Sequence, residues 1–438
     1  LIICYKSVNI MNIKVHRGLD QIGGCITEIS TDTSRVFIDM GQNLPGNAEM
    51  TTPEEDEEMV KNLFAQNKKE HEAVFYTHGH EDHIGLFMYV PDDVPQYMSD
   101  GTKEMILTKN ELIAASHKKS LNKADVELTR EYYEEVCKED NQKVDKLKRF
   151  KTWIRPARRE APQAIPIGDI AITPFYCNHS IFDSSMFLIK ADGKRIWHTG
   201  DFRNNGFSGN LYAMLRRYAV NIDTLIIEGT MLNQDKTNIT EEEVSDKMSH
   251  VMKAFKYVFV LCSATDVDRL AGIQRASEFA RKPFYICSGF MEKTMQIFTK
   301  RFGAKRRLFH FEPIMYKNSA LGKMKRDGFV MAIGASQYRL AKQLRDELDP
   351  SETLLIYSNW DGYYKIPEQI EHNKAYKNFR ELFPNVVDIH TSGHADRETL
   401  KKVIETINPK EQIIGIHKDK DASHKELGLP ESLASKVY

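Results

Sequence analysis

The sequence is 438 residues long, with 41% hydrophobic residues, 28% charged residues and a formal net charge of -1. This length predicts two domains or one elaborate domain, and the composition is that of an ordinary globular protein. The near-zero net charge excludes bulk attraction to a polyanion, so a nucleic-acid partner would have to meet local charged patches.

The six cysteines are scattered along the chain and include no C-x-x-C spacing. This pattern favours free thiols in a reducing compartment, and we expect a cytoplasmic protein. No apolar run is long enough to span a membrane. The apolar residues that open the chain are too few for a signal peptide, and Met11 is the expected natural start, with residues 1–10 an artefact.

Two strands are predicted near the start of the chain, one ending at Ile29 and one covering residues 36–38. Asp39 follows the second strand directly. A buried aspartate there would orient a metal-binding histidine from outside the ligand set. The alternative is an aspartate that starts a turn, and the residues alone do not separate the two.

The stretch around which the chain is organised is residues 77–83, with the sequence THGHEDH after a short apolar run. His78 and His80 project to the same side while the backbone stays extended. Asp82 and His83 follow where the chain is expected to turn into a helix. Three imidazoles and a carboxylate within six residues predict a two-metal site, with zinc preferred and manganese or iron as alternatives.

Residues 112–155 are highly charged, have helical periodicity, and are predicted to form a helical insertion on a compact core. The C-terminal part of this insertion is basic and includes Lys146, Lys148 and Arg149. A solvated helix face is the simpler interpretation. The alternative is a surface that contacts a phosphate backbone.

Three further strands are predicted between residues 170 and 197, and a hairpin turn at Asp192-Gly193 joins the last two. His179 and Asp201 each stand just past the end of a predicted strand, as His78 does. A single histidine in such a place is more often structural. Ligand-type residues at several strand ends instead predict that they meet at one edge.

The next strand ends in Glu228, and beyond it strands and helices alternate in the manner of a parallel, doubly wound sheet. We therefore predict an inserted α/β domain over residues 232–385. The surrounding domain would have a first part over residues 1–231 and a second part over residues 386–438. This second part is predicted to begin with a strand at 386 and to contain another that ends in His417.

In their order along the chain, these motifs resemble the metallo-β-lactamase fold: Asp39, the HGHEDH stretch at 78–83, His179, and Asp201 in HTGDFR. Three further motifs are similar to those of the β-CASP nuclease group: Glu228 in LIIEGT, His394 in TSGHAD and His417 in IIGIHKD. Residues 263–289 resemble the inserted domain of RNase J-like members. The resemblance implies an αββα sandwich with metals at one edge of two packed sheets, together with an inserted β-CASP-like domain.

The resemblance also implies a role for each motif residue. One zinc would be held by His78, His80 and His179. The other would be held by Asp82, His83 and His417, with Asp201 bridging the two ions and Asp39 behind the ligands. Glu228 and His394 would act together near the leaving group, and Asp82 would belong with them to the catalytic set.

The residue types suit phosphodiester cleavage. Two divalent ions about 3.5–4 Å apart can share a water, lower its pKa, and neutralise the entering and leaving oxygens of an in-line displacement. His394 would protonate the leaving sugar oxygen, with Glu228 holding the imidazole tautomer. The alternatives are a strand-end acid that caps a loop and a turn histidine bonded to backbone. The Ser392-Gly393 turn is predicted to contact a substrate phosphate.

Together these expectations describe a two-zinc ribonuclease that cuts single-stranded RNA as a 5′ exonuclease, an endonuclease or both. It would work as a monomer or homodimer, without membrane contact. A DNA nuclease of the same group, a small-molecule hydrolase and a catalytically silent scaffold of an RNA-processing complex are the alternatives. Because the sequence ends soon after His417, we expect it to lack the C-terminal domain of RNase J enzymes.

Overall fold

A computed structural model describes residues 11–46, 50–124, 126–156, 160–303 and 306–438. The prediction about residues 1–10 therefore lies outside the described residues. The N-terminal elements, in chain order, are β1 Asn12–Arg17, β2 Ile26–Ser30, β3 Ser34–Ile38, α1 Pro53–Ala65, β4 His71–Phe75, α2 Glu81–Ile84, β5 Gln96–Ser99, α3 Asp100–Leu121, α4 Glu127–Arg149 and β6 Lys151–Trp153.

The following elements lead up to the inserted segment: β7 Ile165–Ile167, β8 Ile170–Tyr176, β9 Ser185–Ala191, β10 Lys194–His198, α5 Leu211–Tyr218 and β11 Thr224–Glu228. The predicted hairpin turn is confirmed, because Ala191 and Lys194 are paired across β9 and β10. Both turn residues, Asp192 and Gly193, have positive φ, as a type I′ turn requires.

The inserted segment alternates helices and strands: α6 Glu241–Ala254, β12 Tyr257–Leu261, α7 Val267–Phe279, β13 Phe284–Ile286, α8 Gly289–Phe298, β14 Ile314–Met315, α9 Leu321–Asp327, β15 Phe329–Ile333, α10 Tyr338–Asp346, β16 Thr353–Tyr357, α11 Gly362–Lys365, α12 Pro367–His372, α13 Lys374–Leu382 and β17 Val386–Asp388. The chain then forms α14 Arg397–Ile407, β18 Gln412–Ile416 and α15 Glu431–Ala434.

Two six-stranded sheets pack face to face, in the orders β1-β2-β3-β4-β5-β6 and β18-β11-β10-β9-β8-β7. Isoleucine, valine and phenylalanine side chains from both sheets form one buried cluster between them, including Val36 and Phe75 from the first sheet and Ile189 and Ile226 from the second. Each sheet buries its other face under helices. The predicted four-layer sandwich is therefore confirmed.

A third sheet has the order β14-β13-β15-β12-β16-β17, and its paired strands are all parallel. The chain leaves the sandwich after β11 and returns with α14, which packs on the second sheet, and with β18, which is hydrogen-bonded to β11 in parallel register. One detail of the prediction is wrong: the strand at 386 pairs with β16, so it extends the inserted sheet rather than the sandwich. The exact domain limits stay a prediction.

The helical insertion starts earlier than predicted, because α3 begins at Asp100 and packs against α4 as a helical hairpin. Its basic end is not uniformly solvated. The Lys146 ammonium is buried and donates to the backbone carbonyl of Met88 at 2.8 Å and to that of Val90 at 2.5 Å. Lys146 therefore ties α4 to the sandwich instead of presenting a charge to a ligand. Within the described residues, no helix combines the length and the apolar content needed to cross a membrane.

Candidate metal centre and catalytic pair

Asp39 and the loop after β4 form one hydrogen-bonded unit. The Thr77 backbone N–H and hydroxyl donate to the Asp39 carboxylate at 2.7 and 2.8 Å. The same carboxylate lies 2.8 Å from Nδ1 of His83, so Nδ1 carries the proton and donates it. Nε2 of His83 is buried and faces Oδ2 of Asp201 at 3.1 Å. This contact fixes the orientation of the His83 ring, and the role of Asp39 behind the metal ligands stays a prediction.

His78, His80 and His179 converge at this edge of the sandwich. Nδ1 of His80 lies 3.1 Å from Nε2 of His78 and 3.2 Å from Nε2 of His179. Burial holds the pKa of His78 and of His179 well below its ordinary value and lowers that of His80 to about 4. Since Nδ1 of His179 donates to the Gly393 carbonyl at 2.6 Å, its Nε2 is a lone-pair donor. Three neutral imidazoles facing one another suit a metal ion.

The second cluster contains Asp82, His83 and His417. Nε2 of His417 lies 3.0 Å from the Asp82 carboxylate, and Nδ1 contacts the Thr230 hydroxyl at 2.7 Å. Burial would lower the pKa of His83, but the surrounding carboxylates, led by that of Asp201, raise it well above its ordinary value. The cluster therefore lies in a negative electrostatic potential, which attracts cations.

Asp201 stands between the two clusters and is buried. Its Oδ2 lies 3.1 Å from Nε2 of His83, 3.6 Å from that of His417, and 3.8 Å from those of His78 and His179. Burial opposes its ionisation, but the charges on His417 and His83 keep its pKa well below the usual range. An ionised carboxylate in this position is the group that can bridge two ions.

His394 and Glu228 form a pair beside Asp201. Nδ1 of His394 lies 2.9 Å from Oε2 of Glu228, and the other carboxylate oxygen accepts from the Phe202 N–H at 3.0 Å. Burial would lower the pKa of His394, but the carboxylates of Glu228 and Asp201 raise it to about 9. His394 therefore carries a proton at neutral pH, with its side chain 21% exposed while Glu228 is fully buried.

The Ser392-Gly393 turn is shaped by the site itself. Ser392 Oγ accepts from the His394 N–H at 3.1 Å, and the Gly393 carbonyl accepts from His179. A Cβ on Gly393 would lie 2.3 Å from Oγ of Ser180, so only glycine fits. These contacts give the turn a role in positioning His179 and His394, and the predicted contact with a phosphate stays a prediction.

Sequence reasoning missed a buried charge network next to these ligands. Arg203, two residues after Asp201, donates to Asn178, Glu241 and Asp266, all of which are buried. Asn178 immediately precedes His179 in the sequence. Arg203 itself could be noticed in the HTGDFR motif. Its acidic partners lie in the inserted segment, and their spacing in the sequence does not indicate that they pair with Arg203.

The residues present fit metal ions. Among the described residues, two of the groups able to hold an ion are His78, His80 and His179, and His78, His83 and Asp201. Each residue contributes a ligand atom, and the atoms of each group lie within 4.8 Å of one another. Buried neutral imidazoles and buried carboxylates are donors that zinc prefers, and manganese accepts them as well.

Two family models match parts of the chain. The family model described as a beta-lactamase superfamily domain matches residues 56–258, and that described as a Zn-dependent metallo-hydrolase RNA specificity domain matches residues 384–428. The second match contains His394 and His417.

Among curated proteins, the chain is 22% identical to ribonuclease J of Helicobacter pylori strain B128, over 94% of this chain and 58% of that protein. It is 23% identical to an RNase J-like protein of Methanocaldococcus jannaschii, over 92% of each chain. It is also 23% identical to the transcription termination factor FttA of Thermococcus kodakarensis, over 96% of this chain and 68% of that protein. The chain thus spans less than two thirds of the length of the Helicobacter enzyme.

A solved structure with the same fold is a protein of unknown function from Enterococcus faecalis V583. It superposes with a TM-score of 0.67 at 18% identity and covers 96% of this chain and 98% of its own. At this identity, the likeness concerns the fold.

Proposed function

Because the chain belongs to the β-CASP, RNase J-like group of the metallo-β-lactamase superfamily, we propose that it is a metal-dependent phosphodiesterase that cleaves single-stranded RNA. The observation that carries the proposal is the convergence of seven potential ligands with a protonated histidine at one edge of the sandwich. Asp201 Oδ2 lies 3.1–3.8 Å from ring nitrogens of both clusters and 3.8 Å from Nδ1 of His394.

In this proposal, His78, His80 and His179 hold one ion, while Asp82, His83 and His417 hold another, with Asp201 shared. When bound, two such ions supply an acidified water and neutralise charge on the entering and leaving oxygens. Asp39 accepts from Nδ1 of His83 and so turns Nε2 toward the cluster, and the Gly393 carbonyl does the same for His179.

The catalytic pair then serves the leaving group. Glu228 holds Nδ1 of His394, which leaves Nε2 free to deliver the proton that the ring carries at neutral pH. Protonating the departing sugar oxygen is the step for which a general acid is needed. In this proposal, the Ser392-Gly393 turn, next to His394, contacts the phosphate that remains.

RNA is the proposed substrate because one matching family model is described by its RNA specificity and several relatives are named ribonuclease J. The catalytic pair also disfavours a silent scaffold, for which a buried Glu228 holding a charged His394 serves no purpose. Cleavage from the 5′ end and internal cleavage both belong to the proposal, and end-labelled substrates separate them.

The test uses a single-stranded RNA and its DNA counterpart, each labelled at the 5′ or the 3′ end. His80→Ala, His394→Ala and wild type are compared, with and without chelator. His250→Ala is the matched control, because His250 is exposed on α6 and its ring contacts only the backbone carbonyl of Asp246 among described groups. Bound metal is measured in every sample.

We expect wild type and His250→Ala to cut RNA and to lose activity with chelator. His80→Ala should lose metal as well as activity. His394→Ala should keep its metal and slow by roughly 100- to 10,000-fold, the usual contribution of a general acid. Preferential cutting of DNA would show that DNA, rather than RNA, is the substrate. If fully metal-loaded protein leaves both RNA and DNA intact, the nuclease assignment is overturned.

A further inference from the structure

Cys25 lies directly beneath the second ligand cluster and is 2% exposed. Its backbone N–H donates to the Asp82 carbonyl at 3.0 Å, and its carbonyl accepts from the Gly41 N–H at 3.0 Å. These two bonds fix Cys25 between the segment that carries Asp82 and the turn that follows Asp39. The position of the thiol is therefore set by the same backbone that positions the proposed ligands.

The Sγ atom of Cys25 and ring nitrogens of His83 and His417 all lie within 4.8 Å of one another, and the three residues are buried. This spacing is close to that of atoms sharing one ion, since Zn–S and Zn–N bonds measure about 2.3 and 2.1 Å. On the other side of His83, Nε2 lies 3.1 Å from Oδ2 of Asp201 and 3.7 Å from Oδ2 of Asp82. A cation among these groups would therefore meet carboxylates as well as the thiol.

Gly18 keeps the space beside this thiol clear of side chains. A Cβ on Gly18 would lie 3.1 Å from Sγ of Cys25, and the Gly18 carbonyl accepts from the His417 N–H at 2.6 Å. Gly18 has a φ of +100°, which side-chain-bearing residues rarely adopt. The backbone thus brings Cys25 and His417 together from distant parts of the chain.

The other buried cysteines have different surroundings. Sγ of Cys177 donates to the Asp201 backbone carbonyl at 3.6 Å, and Cys262 follows strand β12 of the inserted sheet. Within the described part of the chain, Cys25 is the cysteine that joins a group of potential metal ligands. This difference separates Cys25 from a thiol that merely fills the core.

We infer that Cys25 is a thiolate ligand of the ion held by His83 and His417, and that its sulfur makes this position prefer zinc over manganese. The inference rests on the proposed metal-dependent function. On coordination, the S–H bond breaks, the proton leaves to solvent, and a sulfur lone pair forms the bond to the metal without any change of oxidation state. Thiolate favours zinc, whereas imidazole and carboxylate alone also accept manganese.

The test replaces the native metal of the full chain with Co²⁺ and records its absorption spectrum. Visible d–d bands report bound cobalt whatever its ligands, while a near-ultraviolet charge-transfer band reports a cobalt–thiolate bond. Cys25→Ser is compared with wild type and with Cys262→Ser, a matched control at a buried cysteine that is 3% exposed, follows β12 of the inserted sheet and joins none of the potential metal-binding groups among the described residues. Circular dichroism checks that each variant folds.

We expect all three proteins to show d–d bands, and the charge-transfer band to be absent from Cys25→Ser alone. Zinc affinity at this position should fall roughly 10- to 100-fold or more in that variant, since even partners outside the ligand set contribute this much. In a mixture of equal zinc and manganese, Cys25→Ser should take up more manganese than wild type does.

Wild type with d–d bands but without the charge-transfer band would overturn the inference and leave the proposed function standing. If wild type binds no cobalt, the inference and the metal-dependent function fail together. X-ray absorption on zinc-loaded wild type needs no variant, and it should detect a sulfur neighbour at about 2.3 Å. A zinc shell of nitrogen and oxygen alone would refute the role of Cys25.

Discussion

Arg203 is the centre of a buried charge network, and its removal is the sharpest stability test that the structure offers. Its guanidinium lies 3.0 Å from the Glu241 carboxylate, 2.8 Å from that of Asp266 and 3.4 Å from that of Asp268. Its Nε donates to Asn178 at 2.5 Å. Burial already raises the pKa of Asp268 to about 6, so this carboxylate depends on the arginine to stay ionised.

Replacing Arg203 by methionine keeps most of the side-chain volume and leaves these buried carboxylates short of a cation. Breaking a buried ion pair by removing one partner costs about 3–5 kcal/mol, because the remaining charge is uncompensated. The matched control is Arg275→Met on α7. Arg275 contacts Glu242 and Asp246, each at 3.3 Å, and both carboxylates are exposed. Exposed pairs of this kind contribute about 0–1 kcal/mol.

Urea unfolding of the two variants and wild type, followed by circular dichroism, measures the difference. We expect a large drop in the midpoint for Arg203→Met and a small one for Arg275→Met, with little change in the slope m. Arg203→Lys should fall between wild type and Arg203→Met, since an ammonium keeps the charge but not the planar fork of donors. Equal midpoint shifts for the two methionine variants would refute the reasoning that burial makes this network critical.

Two further predictions concern stability. Burial lowers the pKa of His424 in the folded protein to about 4, whereas in the unfolded chain it is about 6.5. As the pH falls below about 6.5, the unfolded chain therefore binds this proton before the folded protein does. Up to about 3 kcal/mol of stability should be lost between pH 6.5 and 4. His424→Gln should flatten this part of the pH–stability curve, and an unchanged slope would contradict the assignment. Thr240 caps α6 through a reciprocal pair of bonds with Glu243, so Thr240→Ala should cost about 1 kcal/mol, read as a lower urea midpoint.

Much of the site was predictable because its residues stand at strand ends. The period of the apolar residues located β4 and β8, and the motif order assigned His78 and His179 to one ligand set. The two strands belong to different sheets, so the meeting of His78 and His179 depends on how the sheets pack. The order of the motifs also assigned Glu228 and His394 to the site. Their spacing in the sequence alone does not show that they pair with each other.

The inserted sheet was equally accessible, because alternating strands and helices have few alternatives to a parallel arrangement. The sheet to which its last strand belongs could not be predicted in this way. Residues 386–388 have the same apolar character whether they pair with β16 or with the sandwich, and only the register of neighbouring strands decides between the two.

The sequence by itself determined the local pieces: which residues form strands, where the ligand-type side chains leave them, and the turn at Asp192-Gly193. Tertiary structure alone decided which distant groups meet. Cys25 lies close to His417, and Arg203 pairs with Asp266, although these residues are far apart in the sequence. No local sequence pattern indicates either contact. The physical reason is that burial and pairing of polar groups depend on partners remote in the chain, whereas strand and turn propensities act over a few residues.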